Sequence, residues 1–161
     1  MNLPKIPLGF VMVGAPGSGK STAAKTIAYN NNCHLISGDD IREEIYGDAS
    51  VPGDWPEVAD RQEEILSECC GMNVILDEPH HKRQYRGESI SLLKSFGYNH
   101  IIAIVLHPTL ETCLSRNASR KRVVPEHVVS KMHKSIAGSM YSIFMEGFQQ
   151  VFFMDLTGVE G

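Results

Sequence analysis

A glycine-rich stretch near the N-terminus has the residue types of a phosphate-binding loop. It reads GAPGSGKS from Gly14 to Ser21, a full match to the pattern G-x-x-x-x-G-K-[ST]. Glycines allow several backbone N–H groups to point at one phosphate, and a following helix would add the positive end of its dipole. Lys20 would contact the β- and γ-phosphates, and the Ser21 hydroxyl would join the shell of a Mg²⁺ ion. The pattern predicts binding of ATP or GTP by Gly14, Ala15, Pro16, Gly17, Ser18, Gly19, Lys20, Ser21 and Thr22.

A carboxylate ends the apolar run NVILD, which has the form of the second strand of a nucleotide-hydrolysing fold. Asp77 would then lie beside the phosphate loop and hold Mg²⁺ directly or through water. The pattern alone is weak, because many buried strands end in aspartate. The adjacent Glu78 could share or replace the role.

Two charged residues in the segment SGDDIR suit the chemistry of a phosphate acceptor. Asp39 and Arg42 are three residues apart at a helix start, so they can share one face. Asp39 could accept the proton of an attacking hydroxyl, and Arg42 could grip an acceptor phosphate. The alternative is that Asp39 caps the helix and Arg42 is a solvated side chain.

A second basic element, SRNASRKRVVP, spans Ser115 to Pro125. An arginine closing over a transferring phosphate would stabilise its charge, and this segment joins two helices where a lid could move. The alternative is an exposed basic helix end that interacts with its own dipole. The basic residues concerned are Arg116, Arg120, Lys121 and Arg122.

The segment DEPHHKRQYR, from Asp77 to Arg86, is predicted to line the acceptor pocket. Lys82, Arg83 and Arg86 are its candidate phosphate contacts, and any one of them could instead be a surface residue. The adjacent His80 and His81 have a spacing that suits metal binding poorly. Trp55, in a proline-rich loop, could stack a base, although packing on its own loop is favoured.

Alternating short apolar runs and helical patterns predict a parallel sheet covered on both faces, a three-layer α/β/α sandwich. The most hydrophobic run, HIIAIVLH, is expected at its centre. The predicted strands are Leu8–Val13, Cys33–Ser37, Asn73–Asp77, His100–His107 and Gln150–Leu156. The predicted helices cover residues 18–29, 39–47, 57–70, 84–96, 108–117 and 125–145.

The length, net charge and cysteine content of the chain limit its domain number, partners and location. The 161 residues, 42% of them hydrophobic, fit one domain spanning residues 1–161. A net charge of −4 gives no general basic field for nucleic acid. The chain has no apolar run of membrane-spanning length, and MNLPKIP lacks a signal-peptide core. Its four cysteines show no metal-ligand spacing, so we expect reduced thiols, a cytoplasmic location and no membrane partner.

Taken together, these motifs resemble the P-loop kinase domain of polynucleotide 5′-hydroxyl kinases, from Gly14 to about Ile136. GAPGSGKST resembles that family's phosphate loop, and SGDDIR matches its D-D-x-R element. LSRNASRKRVVPEHVVSKMHKSI is similar to its lid, with an R-N-x-x-R core followed by V-P. The resemblance implies a P-loop NTPase fold with a five-stranded parallel sheet and a small helical lid at about residues 116–125.

The same resemblance implies roles for individual residues. Lys20 would act at the transferring phosphate, and Asp39 would be the general base toward the 5′-hydroxyl. Arg42 would contact the acceptor phosphate. Arg120 would be the catalytic lid arginine at the transferring phosphate, and Arg116 a further contact to ATP.

One departure leaves the acceptor open. The family's third strand usually ends in D-x-T-N or D-T-N, whereas this one ends in LDEPHH. Three hypotheses follow: transfer of the ATP γ-phosphate to a 5′-hydroxyl of RNA or DNA, a kinase of a small molecule (nucleoside, sugar, antibiotic or nucleotide-sugar), or a nucleotide-binding ATPase or regulator. The first is favoured, with ATP and Mg²⁺ as the expected cofactors.

Overall fold

Five parallel strands form a single sheet in the order β2-β3-β1-β4-β5. The computed structural model describes residues 5–156. Residues 1–4, which begin the segment tested for a signal peptide, and residues 157–161, the end of the expected domain, lie outside this range. The strands are β1 (Leu8–Val13), β2 (Cys33–Ser37), β3 (Asn73–Asp77), β4 (His100–Val105) and β5 (Gln150–Phe153).

Helices cover both faces of the sheet, as the alternating pattern predicts. They are α1 (Lys20–Asn31), α2 (Gly38–Tyr46), α3 (Trp55–Glu68), α4 (Arg83–Ser95), α5 (Leu110–Ala118) and α6 (Glu126–Ala137), followed by a 3-10 helix, Ser142–Met145. Successive side chains of a strand point to opposite faces. Phe10 and Met12 therefore pack with Ala23 and Ala24 of α1, whereas Val11 and Val13 belong to the core on the other face. The predicted three-layer α/β/α fold is confirmed.

The sheet register brings three loops to one edge. Ser37 at the end of β2 pairs with Asp77 at the end of β3, and β3 pairs in turn with β1. Because parallel strands end at the same edge, the loops that follow β1, β2 and β3 meet there. The backbone N–H of Gly14 donates a 3.1 Å hydrogen bond to the carbonyl of Pro79, which fastens two of these loops together.

Three element predictions need correction. The predicted helix 125–145 ends at Ala137, and Gly138–Tyr141 separates it from the 3-10 helix. β1 lies at the centre of the sheet, while His100–Val105 is the interior strand beside it. Strands β4 and β5 also end earlier than predicted. A hydrophobic strand is one that is buried on both faces. Every interior strand of the sheet is buried in this way, so hydrophobicity does not distinguish the central strand from its neighbours.

Within residues 5–156, no helix combines the length and apolar character needed to span a membrane. All four cysteines are free thiols.

Candidate active site

The glycine-rich loop has the backbone conformation that its sequence predicts. Gly17 and Gly19 have φ angles of 80° and 89°, which side chains disfavour, and α1 begins directly after Gly19. The Ser18 hydroxyl is buried and has no hydrogen-bond partner among the described residues. A buried donor without a partner costs free energy, so a phosphate oxygen at this point would supply what Ser18 lacks.

Lys20 and Asp77 form an ion pair at this edge of the sheet. The Nζ of Lys20 lies 2.5 Å from Oδ1 of Asp77, and both side chains are largely buried. Ser21, the next residue along α1, is exposed. A hydroxyl and a carboxylate are hard oxygen ligands, and Mg²⁺ is commonly bound by one or two such groups with water and substrate phosphates completing its shell. The residues present therefore fit Mg²⁺ bound together with a nucleotide.

Asp39 lies in the first turn of α2 and contacts two arginines. Its Oδ1 accepts a 3.3 Å hydrogen bond from Arg42 and a 2.7 Å hydrogen bond from Arg122. The residue that caps α2 is Ser37, whose hydroxyl accepts from the N–H of Asp40. The Arg42 side chain is 17% exposed. Helix capping by Asp39 and a solvated Arg42, the alternative considered from sequence, do not describe this site.

The loop between α5 and α6 carries the basic segment, and the buried side chain of Asn117 links its two ends. Asn117 donates a 2.7 Å hydrogen bond to the carbonyl of Val124 and accepts one from its N–H at 3.1 Å. This pair of bonds fixes the loop that reaches Asp39 through Arg122. Arg120 is half-buried on the same loop, and its side chain forms no hydrogen bond or ion pair within residues 5–156.

A cavity of about 390 Å³ lies beside the phosphate loop. Ser18 and Arg116 line it, and Nη1 of Arg116 is 3.6 Å from where a β-carbon on Gly19 would be. Its position suits the base and ribose of a nucleotide held by the loop. The other lining residues come from the ends of β4 and β5 and the segments after them, from α5 and from the turn after α6: Val105, His107, Pro108, Thr109, Thr112, Met140, Phe153, Met154, Asp155 and Leu156.

A second cavity, of about 730 Å³, is lined by Arg42, which contacts Asp39, and by the segment 78–81 that follows β3. We call it the acceptor cavity, because the sequence predicts that the DEPHH loop and Arg42 contact a phosphate acceptor. Its remaining walls come from α3, α4 and α6: Trp55, Ala59, Gln62, Glu63, Gln84, Tyr85, Glu88, Ser89, Leu92 and Met132.

Arg86 is not an acceptor contact, contrary to the sequence prediction. Its guanidinium is fully buried and donates to both carboxylate oxygens of Glu146, at 2.6 and 2.8 Å, and to the carbonyl of His80 at 2.8 Å. These bonds use all three guanidinium nitrogens, so the group is unavailable to a ligand. Arg83 is exposed at the start of α4 and is not among the residues that line the acceptor cavity.

His80 supports the loop rather than offering a titrating group. It is fully buried, and burial lowers its pKa to about 4. Its Nδ1 is 2.7 Å from the carbonyl of Met12, and its Nε2 is 2.9 Å from the hydroxyl of Ser89. These contacts tie the DEPHH loop to β1 and to α4, and burial keeps the imidazole neutral.

Comparison with known proteins agrees with this fold. The AAA domain family matches residues 10–138, which is most of the chain. The chain belongs to the AAA domain family. No curated protein matches the sequence.

Three solved structures share the fold of this AAA domain. A chain in the Pnkp1/Rnl/Hen1 RNA repair complex is 20% identical, with 88% of this chain and 47% of that chain covered and a TM-score of 0.71. A gluconokinase from Sinorhizobium meliloti 1021 is 21% identical, with 94% and 84% covered and a TM-score of 0.61. A chain from the PezAT toxin–antitoxin system of Streptococcus pneumoniae is 16% identical, with 94% and 69% covered and a TM-score of 0.73.

These likenesses show a P-loop kinase-like fold for the AAA domain, as its motifs predict. The chain spans about half the length of the RNA repair protein it matches.

Sequence reasoning missed several residues of the site in this AAA domain. Arg122 was recognised only as part of a basic group, although it reaches Asp39. Trp55 is 50% exposed and lines the acceptor cavity, where packing on its own loop was expected. The residues of the nucleotide-side cavity gave no motif. The signal that could have found them is their place just after β4 and β5, at the edge of the sheet that holds the phosphate loop.

Proposed function

We propose that the protein is an ATP-dependent phosphotransferase that moves the γ-phosphate of ATP to a hydroxyl. The observation that carries this proposal is the position of Asp39. Its carboxylate is bound to Arg42, which lines the acceptor cavity. Asp39 also follows β2 at the edge of the sheet that carries Lys20 of the phosphate loop and Asp77 of β3. A base beside a cavity and next to a phosphate loop is the arrangement that in-line transfer to a hydroxyl requires.

On the nucleotide side, the loop N–H groups and Lys20 would bind and orient the phosphates. The Nζ of Lys20 would exchange Asp77 for β- and γ-phosphate oxygens, leaving Asp77 and Ser21 to hold the metal. Mg²⁺ bound there would neutralise phosphate charge. Arg116, already lining the cavity beside Gly19, would contact the nucleotide.

On the acceptor side, Asp39 would take the proton of the acceptor hydroxyl while the oxygen of that hydroxyl bonds to the γ-phosphorus. The bond from that phosphorus to the β–γ bridging oxygen breaks, and ADP leaves. Arg120 would stabilise the charge on the transferring group, and Arg42 would hold the acceptor. Arg83, exposed at the start of α4 and outside the cavity lining, would contact only a part of an acceptor that extends beyond the cavity.

Two acceptor classes have separate support. A 5′-hydroxyl end of RNA or DNA is supported by the D-D-x-R and R-N-x-x-R motifs and by the fold shared with a chain of an RNA repair complex. A small molecule is supported by the acceptor cavity, whose volume of about 730 Å³ is that of a site for one small ligand. A gluconokinase also shares the fold. Free thiols at all four cysteines support a cytoplasmic location.

Transfer of labelled γ-phosphate from ATP in the presence of Mg²⁺ tests the proposal. We expect label to appear on a hydroxyl compound from a panel of 5′-hydroxyl oligonucleotides, nucleosides and sugars. Free phosphate that accumulates with no labelled acceptor would refute phosphotransfer and favour an ATPase.

A further inference from the structure

The acceptor cavity is acidic where an acceptor phosphate would need cations. Its lining includes the carboxylates of Glu63, Glu78 and Glu88. Arg42 is the one Lys or Arg among the described residues that line it, and it is already bound to Asp39. Phosphate groups are bound in proteins chiefly by arginine, lysine and backbone N–H donors. This balance of charge disfavours an acceptor that carries phosphate near the reacting hydroxyl.

The other basic residues nearby do not reverse this balance. Arg122 is bound to Asp39 and does not line the cavity. Arg86 is neutralised by Glu146 in the core. The ammonium of Lys82 lies over the ring of Tyr85, 5.2 Å from its centre, and Lys82 is not among the residues that line the cavity. Arg83 and Lys131 are both exposed, and neither lines the cavity.

Glu78 lines this cavity directly after β3. Its Oε1 is enclosed beside the backbone of Gly38, where a β-carbon would lie only 1.8 Å away. Within the described residues its carboxylate receives no hydrogen bond from the protein. A carboxylate that the fold leaves without a donor can accept one from a ligand in the cavity, and that bond would offset the cost of its burial.

Two aromatic side chains stand at the wall of the same cavity. Trp55 begins α3 and is 50% exposed, and Tyr85 of α4 is 38% exposed. Exposed aromatic side chains at a cavity wall offer flat apolar surfaces to a ring-shaped ligand, while the carboxylates and Gln62 offer hydrogen bonds to its substituents.

We propose, resting on the phosphotransferase function above, that the acceptor is a small polyhydroxylated ring compound without phosphate groups. Glu78 accepts a hydrogen bond from one of its hydroxyl or amine groups, next to the hydroxyl that Asp39 deprotonates. Trp55 and Tyr85 cover the faces of the ring.

The test compares matched acceptors in the labelled transfer assay. We expect nucleosides, sugars or amino sugars to be labelled, and a 3′-phosphorylated nucleoside to have a kcat/KM lower by at least about tenfold than the parent nucleoside. Preferential labelling of 5′-hydroxyl oligonucleotides or of 3′-phosphorylated nucleosides overturns this inference but leaves the phosphotransferase function standing. Label on no acceptor removes both.

Glu78→Met, which nearly keeps the side-chain length and removes both acceptor oxygens, tests the residue. We expect it to raise the KM for the labelled acceptor by at least about tenfold, and to keep or raise the melting temperature, since it removes a buried carboxylate oxygen without a partner. Glu43→Met changes an exposed carboxylate of α2 outside the cavity, and should leave the acceptor KM within about twofold of the wild type and the melting temperature nearly unchanged. An unchanged acceptor KM in Glu78→Met, or a rise confined to the KM for ATP, would overturn the assignment of Glu78.

Discussion

Arg122 donates a 2.7 Å hydrogen bond to Asp39 across 83 positions of sequence. The bond joins the loop between α5 and α6 to the first turn of α2, where Arg42 contacts the same carboxylate oxygen. Two guanidinium groups on one carboxylate hold it in place, and one of them, Arg42, lines the acceptor cavity.

Asp39→Asn should lower turnover by at least about a hundredfold while ATP still binds, because the amide cannot accept the acceptor proton. Steady-state phosphotransfer and ATP-binding titration measure the two effects. Asp40→Asn, at the adjacent exposed carboxylate, is the matched control and should keep its activity. Full activity in Asp39→Asn would refute the assignment of the base.

Arg122→Gln should lower kcat by about tenfold or more, because the carboxylate of Asp39 loses its closest cation and the loop loses its contact with α2. Comparing kcat with both KM values separates this effect from weakened nucleotide binding. Lys121→Gln removes a neighbouring exposed charge and should behave as the wild type. Equal kcat values for the two variants would mean that the contact with Asp39 has no part in turnover.

Arg86→Met should destabilise the fold by about 3–5 kcal/mol, because it leaves the Glu146 carboxylate buried without its partner. Chemical denaturation measures the loss in free energy of unfolding. Arg83→Met, three residues earlier and exposed, should change it by no more than about 0.5 kcal/mol. The double variant Arg86→Met, Glu146→Met should recover much of the loss, and failure to recover would show that the ion pair is not its source.

Stability should fall on acidification through His80. Above pH 6.5 the imidazole is neutral in both folded and unfolded chains, so it contributes no pH dependence. As the pH falls from 6.5 toward about 4, the unfolded state binds a proton that the folded state excludes. Each pH unit in this window costs about 1.4 kcal/mol at most.

His80→Asn tests this dependence. Asparagine tolerates the φ of 46° at this position and cannot take up the proton. Denaturation midpoints between pH 7 and pH 4 should fall less steeply in the variant. Other shifted groups, including Glu78 with its raised pKa and His81 with its lowered one, are present in both proteins. Parallel pH curves would exclude His80 as the cause.

The fold was predictable because its signals are local. Three of the five strands have the predicted bounds, since short apolar runs bordered by glycine or polar residues are typical of buried parallel strands. The phosphate loop was equally predictable from the sequence, because its backbone conformation depends on glycines within the loop itself. The long helix after Pro125 was mispredicted because no strong breaker other than Gly138 marks its end.

The features of the site also separate into those that depend on nearby residues and those that depend on packing. The sequence by itself determined the phosphate loop, the parallel sheet and the pairing of Asp39 with Arg42, because each depends on residues close together in the chain. Only the tertiary structure decided that Arg122 reaches Asp39, that Arg86 is bound by Glu146 and that Trp55 lines the acceptor cavity. The first two partnerships span 83 and 60 residues, and a side chain's partner at that range is set by how the elements pack. Residue type indicates that a buried arginine will pair with a carboxylate, but the packing of the elements determines which carboxylate that is.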